Sequence, residues 1–108
     1  MRFGASRLAG TTAATYRVFG IVTDATTGAP IPWATVQDDP SGRPPFFQTT
    51  SSVSGTFELW TVAEPHFLLI SALGYQPKRV GIGRVWYLWL PTGEQQVNVA
   101  LDRERSQD

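Results

Sequence analysis

The sequence contains no cysteine, which excludes disulfide bonds, thiolate zinc sites and cysteine nucleophiles. It contains a single histidine, His66, and a single lysine, Lys78, so chemistry through either residue type depends on one side chain. No apolar run approaches the roughly 20 residues that a membrane-spanning helix requires. We therefore expect no direct membrane span, and nothing in the sequence predicts a metal or a cofactor.

An excess of charge of one sign is also lacking, because nine Lys and Arg residues balance nine Asp and Glu residues. The small basic group of Lys78, Arg79 and Arg84 has no accompanying aromatic platform, so we expect no nucleic-acid binding. The overall composition is that of a globular protein. The 108 residues, of which 42% are hydrophobic and 17% are charged, predict one folded domain.

The first fifteen residues, MRFGASRLAGTTAAT, are mostly small and polar and show no periodicity. The segment LAGTTAA is too polar for the apolar region of a signal peptide, so no clear signal peptide is predicted. The last residues of the chain are charged and polar. We therefore expect a flexible lead-in over residues 1–15, a folded domain over residues 16–102 and a flexible tail over residues 103–108.

Short segments rich in β-branched and aromatic residues alternate with Gly- and Pro-rich turns along the rest of the chain. They predict strands at 16–23, 31–37, 46–50, 56–62, 66–72, 78–82, 85–90 and 96–101. No segment has a convincing helical period. Seven or eight short strands separated by turns are typical of an all-β, antiparallel sandwich, in which each of two sheets hides one face.

The stretch 18–36 is predicted to be a hairpin that organises the domain. Gly28 and Pro30 lie in its turn, DATTGAP, and Pro32 starts the second strand because proline cannot donate to a ladder. Further along the chain, the alternation places Phe57 and Leu59 on one face of their strand and Trp60 on the other. In the last strand the same rule turns three residues inward: Val97, Val99 and Leu101.

An ordered set of motifs resembles the carboxypeptidase regulatory-like domain family. In this sequence the set is VxGxVxDxxTGxPIPxAxV over residues 18–36, Thr49 or Thr50, GxFxL over 55–59, LxSAxGY over 69–75 and VxVxL over 97–101. The resemblance implies a prealbumin-like (transthyretin-like, immunoglobulin-like) Greek-key sandwich. Its structural signature comprises Gly20, Asp24, Gly28, Pro30, Ala34, Gly55, Phe57, Gly74 and Tyr75.

The resemblance also implies roles for these positions and for the domain. Ala34 is small where its strand crosses the core, Gly55 and Gly74 allow turns, and the Tyr75 hydroxyl is expected to reach backbone, in the manner of a tyrosine corner. Domains of this family are non-catalytic and accompany metallopeptidases, TonB-dependent receptors and other surface or periplasmic proteins. The chain is therefore expected to be an accessory or interaction module of a bacterial cell-envelope protein, located in the periplasm or at the cell surface.

Residues that could carry chemistry are few. His66 would need a serine and an acid to form a triad, and no GxSxG elbow is present, so we interpret it as a structural residue at a strand start. Asp38 and Asp39 could bind calcium loosely, but a solvated loop is the expected role because Ca²⁺ takes six or more oxygens. We expect no enzyme activity.

The aromatic residues suggest a binding surface. Four tryptophans are present, and in the segment 85–90 Tyr87 and Trp89 point the same way, opposite to Trp86. If Trp86 fills the core, Tyr87 and Trp89 form an exposed strip, with Trp60 as a further contributor. Three alternatives stay open: burial of both faces by the chain itself, a protein interface (a partner protein, a domain of the parent protein or a homodimer), and a carbohydrate-binding surface.

Overall fold

The computed structural model describes residues 14–42, 44–83 and 93–104. Within these ranges the alternation of apolar and polar residues forms eight strands and no helix. They are β1 (Tyr16–Asp24), β2 (Thr35–Asp38), β3 (Gln48–Thr50), β4 (Thr56–Thr61), β5 (His66–Ser71), β6 (Lys78–Ile82), β7 (Glu94–Gln96) and β8 (Val99–Leu101). The predicted strand at 85–90, residues 1–13 of the lead-in and residues 105–108 of the tail lie outside the described ranges.

Two sheets make the architecture all-β and sandwich-like. In the first sheet β1 is central, antiparallel to β4 on one side and parallel to β7 and then β8 on the other. The second sheet has the order β3-β2-β5-β6, with every pairing antiparallel. The expectation of a purely antiparallel fold is therefore wrong at β1, whose partners β7 and β8 run in its own direction.

The core consists of the inward-facing residues of both sheets. Val18, Val36 and Leu68 are completely buried, and burial of each such side chain contributes about 1.5–3 kcal/mol. The inward direction predicted for Phe57 and Leu59 is confirmed, as is that of the last apolar residues of the chain. The remaining buried apolar residues are Tyr16, Val22, Ile31, Ala34, Ile70, Ile82, Val97, Val99 and Leu101.

The predicted hairpin over 18–36 is wrong. β1 and β2 belong to different sheets, and only an isolated bridge between Thr23 and Pro30 pairs the two arms of this stretch. The chain turns after Pro32, where Trp33 takes a left-handed backbone conformation with φ of 62°. Residues in that conformation cannot continue a strand, so β2 begins only at Thr35 and enters the second sheet.

Gly20 explains why the predicted strand over 96–101 is divided into β7 and β8. A Cβ atom at Gly20 would lie 1.7 Å from the carbonyl oxygen of Val97, so this backbone approaches β1 more closely than any side chain permits. The Val97 N–H still donates to the carbonyl of Phe19, which keeps the segment beside β1. The break is a local displacement, and the inward direction of Val97 is unchanged.

The end of the described chain is held against the β5–β6 connection. Arg103 forms an isolated bridge with Tyr75, Gln76 donates to the carbonyl of Asp102, and Glu104 donates to that of Gly74. Residues 103 and 104, which we expected in a flexible tail, are therefore part of the folded domain. No helix in the described ranges is long and apolar enough to cross a membrane.

Candidate functional site

A buried carboxylate lies at the end of β1, where Asp24 is only 2% exposed. Its Oδ1 accepts the backbone N–H groups of Thr26 at 2.7 Å and Thr27 at 3.1 Å, which closes the turn that follows. Its Oδ2 accepts the Tyr75 hydroxyl at 2.7 Å and Nε of Arg103 at 2.8 Å. Asp24 thus joins its own turn to the β5–β6 connection and to the segment after β8.

The four donors stabilise the charged form of Asp24. The Tyr75 hydroxyl first, and Arg103 next, hold the pKa of this carboxyl well below its usual range. The same contact raises the pKa of Tyr75, because ionising the phenol would place two negative charges together. The expectation that the Tyr75 hydroxyl reaches backbone is wrong, since it donates to a side-chain carboxylate.

A second buried carboxylate, that of Asp38, ends β2 and is 4% exposed. Its Oδ1 accepts the Thr61 hydroxyl at 3.0 Å and lies 2.8 Å from Nε2 of His66, while Oδ2 accepts the Phe47 N–H at 2.8 Å. Nδ1 of His66 donates to the carbonyl of Glu64 at 2.6 Å. Asp38 therefore links the second sheet to the end of β4 in the first.

The contacts of Asp38 and His66 are those of a link between chain segments. His66 begins β5, as predicted, but both of its ring nitrogens face acceptors within the domain, so the pair lacks the serine-facing nitrogen of a triad. The solvated loop expected for Asp38 is wrong, because this carboxylate is buried. Among the described residues no group of three or more His, Cys, Asp or Glu side chains is placed to hold a metal ion.

Asp39, the neighbour of Asp38, is also bonded within the chain. Its Oδ1 accepts the backbone N–H of Ser41 at 2.9 Å and the Ser41 hydroxyl at 2.8 Å, and its Oδ2 accepts Nε of Arg79. These contacts, with the Ser41 N–H foremost, lower the pKa of Asp39. Asp38 and Asp39, the two acids considered as a loose calcium pair, thus both serve to hold the loop after β2.

Trp33 is the most unusual residue in the described structure. Its φ of 62° is the only positive value for a non-glycine residue in these ranges, and its side chain is 67% exposed. A bulky residue gains nothing locally from the left-handed conformation, which costs about 1–2 kcal/mol. Strain of this kind persists only where the surrounding structure imposes it, and it is concentrated at functional sites.

Ser51 imposes that conformation. The buried Ser51 hydroxyl donates to the carbonyl of Ile31 at 2.7 Å and accepts the Ala34 N–H at 2.8 Å. The Ser51 backbone donates to the Ala34 carbonyl at 2.8 Å and accepts the Trp33 N–H at 3.1 Å. We call these four hydrogen bonds the Ser51 clasp. It fixes Ile31 and Ala34, on either side of Trp33, and leaves the indole directed away from the core.

The indole of Trp33 belongs to a larger surface on the outer side of the first sheet. Register places Arg17 opposite Trp60, Phe19 opposite Glu58 and Ile21 opposite Thr56. Residues paired in this way project from the same face of a sheet, and these six side chains project from the outer face. Trp60 is 47% exposed. We call this surface the tryptophan face. It comprises Arg17, Phe19, Ile21, Trp33, Thr56, Glu58 and Trp60, with Gln96 and Asn98 at its β7–β8 side.

The charges on the tryptophan face are paired with one another. Arg17 donates to Glu58 and, at 3.0 Å, to Glu94, so it bridges carboxylates of β4 and β7 across β1. Its guanidinium also lies 4.2 Å from the centre of the Phe19 ring. Arg17 lowers the pKa of Glu58, and the Trp60 side chain acts in the same direction by a hydrogen bond. Glu58 therefore holds Arg17 in place.

A shallow groove of about 800 Å³ crosses this face. Its apolar lining comes from separate side chains, Phe19, Ile21 and Trp33, while hydrogen-bonding groups lie between and beside them. Ser52 and Thr56 form a hydroxyl pair 2.7 Å apart at the Trp33 end. The groove thus combines exposed aromatic rings with fixed polar groups, which is the composition of a ligand-binding surface.

The remaining signature residues shape the frame around this face. Ala34 is fully buried and Phe57 is 5% exposed, so both pack in the core. Gly55 takes a φ of 81°, and a Cβ there would lie 2.7 Å from the Val22 carbonyl and 2.9 Å from Cβ of Pro30. Positive φ values also occur at the turn residues Gly28 and Gly74. The structure brings none of these residues together as a reactive site.

The predicted binding surface is only partly within the described chain. Trp60 is exposed, whereas Tyr87 and Trp89 lie outside the residues that the structure describes. Sequence reasoning did not predict the contact between Trp33 and Ser51. The available signal was Pro32, which interrupts a ladder immediately before a tryptophan, but nothing in the sequence connects that tryptophan to a serine 18 residues later.

No protein-family model matches the chain. No curated protein matches it either.

Proposed function

We propose that this domain is a non-catalytic binding module whose ligand or partner contacts the tryptophan face. The observation that carries the proposal is Trp33, an exposed indole in a left-handed conformation that the Ser51 clasp maintains. A backbone strain of this size is a cost to folding. Contacts between the exposed indole ring and a bound partner would offset this cost.

Two further observations support a binding role without catalysis. The buried carboxylates of Asp24 and Asp38 accept hydrogen bonds from donors within the domain, so each functions as a link between chain segments. The tryptophan face offers rings and paired charges on strands, and rigid strands hold a contact surface better than loops do. A contact surface of this kind needs no nucleophile or proton donor.

The same proposal extends to family and compartment. We infer a prealbumin-like Greek-key sandwich of the carboxypeptidase regulatory-like family, serving as an accessory module of a bacterial cell-envelope protein. Support comes from the signature positions: Gly20 admits the Val97 backbone, Ala34 is buried, and Tyr75 is anchored at the end of β1. The signature therefore has a coherent structural use in this chain.

A second candidate is a carbohydrate-binding module that uses Trp60 with Tyr87 and Trp89. The observation in its favour is the exposure of Trp60 on the outer side of β4, where an indole ring is available for stacking on a sugar. In this alternative the contact surface would centre on the segment 85–90. In the primary proposal it centres on Trp33.

Site-specific photocrosslinking in the cell that makes the protein tests the proposal. A benzophenone amino acid would replace Trp33, Trp60 or, as a matched aromatic control on the second sheet, Phe67, which is 51% exposed. We expect light-dependent adducts at the first two positions and none at Phe67, because only the tryptophan face contacts the partner. Equal adducts at all three positions, or adducts at Phe67 alone, would contradict the proposal.

A further inference from the structure

We propose that the tryptophan face binds a neutral polysaccharide chain lying across the first sheet, with Trp33 and Trp60 as stacking platforms at its two ends. This inference rests on the proposed function and specifies its ligand. It also differs from the alternative centred on the segment 85–90, because every contributing residue lies in the part of the chain that the structure describes. The chemistry of the face, its dimensions and its charge each support a sugar polymer.

The two indoles are spaced for an extended ligand. Trp33 is bonded to Ser51, and the next residue, Ser52, donates to the Thr56 carbonyl, so Trp33 lies at the Thr56 end of β4. Trp60 is at the other end of the same strand. Four residues of strand separate these ends by about 13 Å. One monosaccharide cannot reach both rings, whereas a chain of several sugars can.

The surface between the indoles alternates apolar and polar groups. Phe19 and Ile21 project from β1, and Glu58, Gln96 and the Ser52–Thr56 hydroxyl pair lie around them. Sugar rings present the same alternation, since their C–H faces stack on aromatic rings and their hydroxyls need hydrogen-bonding partners. A protein interface normally has a contiguous apolar core instead. The separated rings of this face therefore fit a glycan better than a protein.

The charges on the face favour a neutral ligand. The one cation lining the groove, Arg17, is engaged by Glu58 and Glu94, so no basic group in the described part of the groove remains for a polyanion. Glu58 is in turn oriented by Arg17, and its outer lone pairs are suited to accept sugar hydroxyls. An acidic polysaccharide would bring its negative charges next to the carboxylates of Glu58 and Glu94.

The open shape of the groove suggests binding along a chain. A volume of about 800 Å³ is within the range of ligand sites, but the groove is shallow and follows a sheet surface. A small molecule gains affinity by being enclosed, which this surface does not provide. A polymer can compensate by making weak contacts at several sugars at once.

Affinity electrophoresis of the full chain tests the inference. Native gels would contain mixed-linkage β-glucan, galactomannan or soluble starch as neutral polymers, or polygalacturonate as an acidic one. We expect retardation by at least one neutral polymer and none by polygalacturonate. Trp33→Gly and Trp60→Ala should each weaken binding about tenfold or more. Trp33→Gly suits the left-handed position, so the domain should still fold, and Phe67→Ala should bind as the original chain does.

The outcomes separate this inference from the proposed function. Retardation by polygalacturonate alone, retardation that survives both tryptophan substitutions, or no retardation by any neutral polymer would overturn the polysaccharide assignment. In the last case, crosslinks that still form at Trp33 and Trp60 but not at Phe67 would leave the binding module intact with another ligand. Absence of those crosslinks together with absence of retardation would overturn both.

Discussion

At Trp33 a large aromatic side chain occupies a backbone conformation that normally belongs to glycine. The usual ranking of substitutions should therefore be inverted here. Trp33→Gly should be more stable than Trp33→Ala by about 0.5–1 kcal/mol. Alanine retains the left-handed strain, which glycine avoids. The larger conformational entropy of glycine in the unfolded chain offsets part of that advantage. Urea denaturation of the two variants measures the difference. An alanine variant as stable as the glycine variant would contradict the strain.

Asp24 is the residue at which pH should affect stability most directly. Its pKa is lowered in the folded domain by Tyr75 and Arg103, so it contributes stability that is complete above the pKa of an unfolded Asp, about 3.9. That contribution is lost as the pH falls below this value. Asp24→Asn should therefore cost more stability at pH 7 than at pH 3, as measured by urea midpoints at each pH. An equal cost at both would contradict the role of its charge.

At the scale of elements, the Ser51 clasp joins the start of β2 to the connection after β3. Ser51→Ala would leave the Ile31 carbonyl and the Ala34 N–H unpaired in a buried site, at a cost of about 2 kcal/mol or more. Ser54→Ala is the control, since that exposed hydroxyl bonds only to neighbours on the surface. Similar urea midpoints for the two variants would show that the clasp contributes little.

The contact between β1 and the β7–β8 break gives a second element-scale prediction. Gly20→Ala places a Cβ against the Val97 carbonyl and should destabilise the domain by at least about 2 kcal/mol, because backbone on both sides must move. Gly81→Ala meets only an ordinary 3.6 Å contact with Phe67 and should change stability by no more than about 0.5 kcal/mol. Thermal unfolding of both variants measures the contrast.

Strand positions could be predicted from the sequence where alternation is strong. The limits of β6 and the inward faces of β4 and β8 follow directly from residue type. The connection between β1 and β2 could not be predicted, because a sequence containing DATTGAP is equally compatible with a hairpin and with a crossing between sheets. The strain at Trp33 decides between them, and it depends on hydrogen bonds to Ser51 that are distant in sequence.

The candidate site was predictable only in its residue types. Exposed tryptophan was expected, but the choice of Trp33 required knowledge of which sheet each neighbouring strand enters. Similarly, Asp38 follows a strand and precedes a polar loop, so sequence favours exposure. Its burial results from Thr61 and His66, which the fold brings together from separate strands.

At the scale of the whole molecule, the two buried acids connect the sheets at opposite ends of β1. Asp24 on the first sheet receives the Tyr75 hydroxyl from the β5–β6 connection, and Asp38 on the second receives the Thr61 hydroxyl from β4. Each link adds a buried polar contact to the apolar packing between the two layers. Polar contacts of this kind specify how the layers align, because a sliding displacement would leave a buried carboxylate without donors.

The parallel pairing of β1 with β8 also governs when the domain can fold. Val22 pairs with Val99, so the central strand of the first sheet, which already has β4 on one side, lacks this parallel neighbour on the other side until almost the whole domain has been synthesised. Contacts between such distant residues slow folding, because a long loop must be closed before they form. A chain ending after Gln96 should remain sensitive to limited proteolysis, whereas one ending after Glu104 should resist it. Emergence of β8 from the ribosome is thus the event that completes the domain.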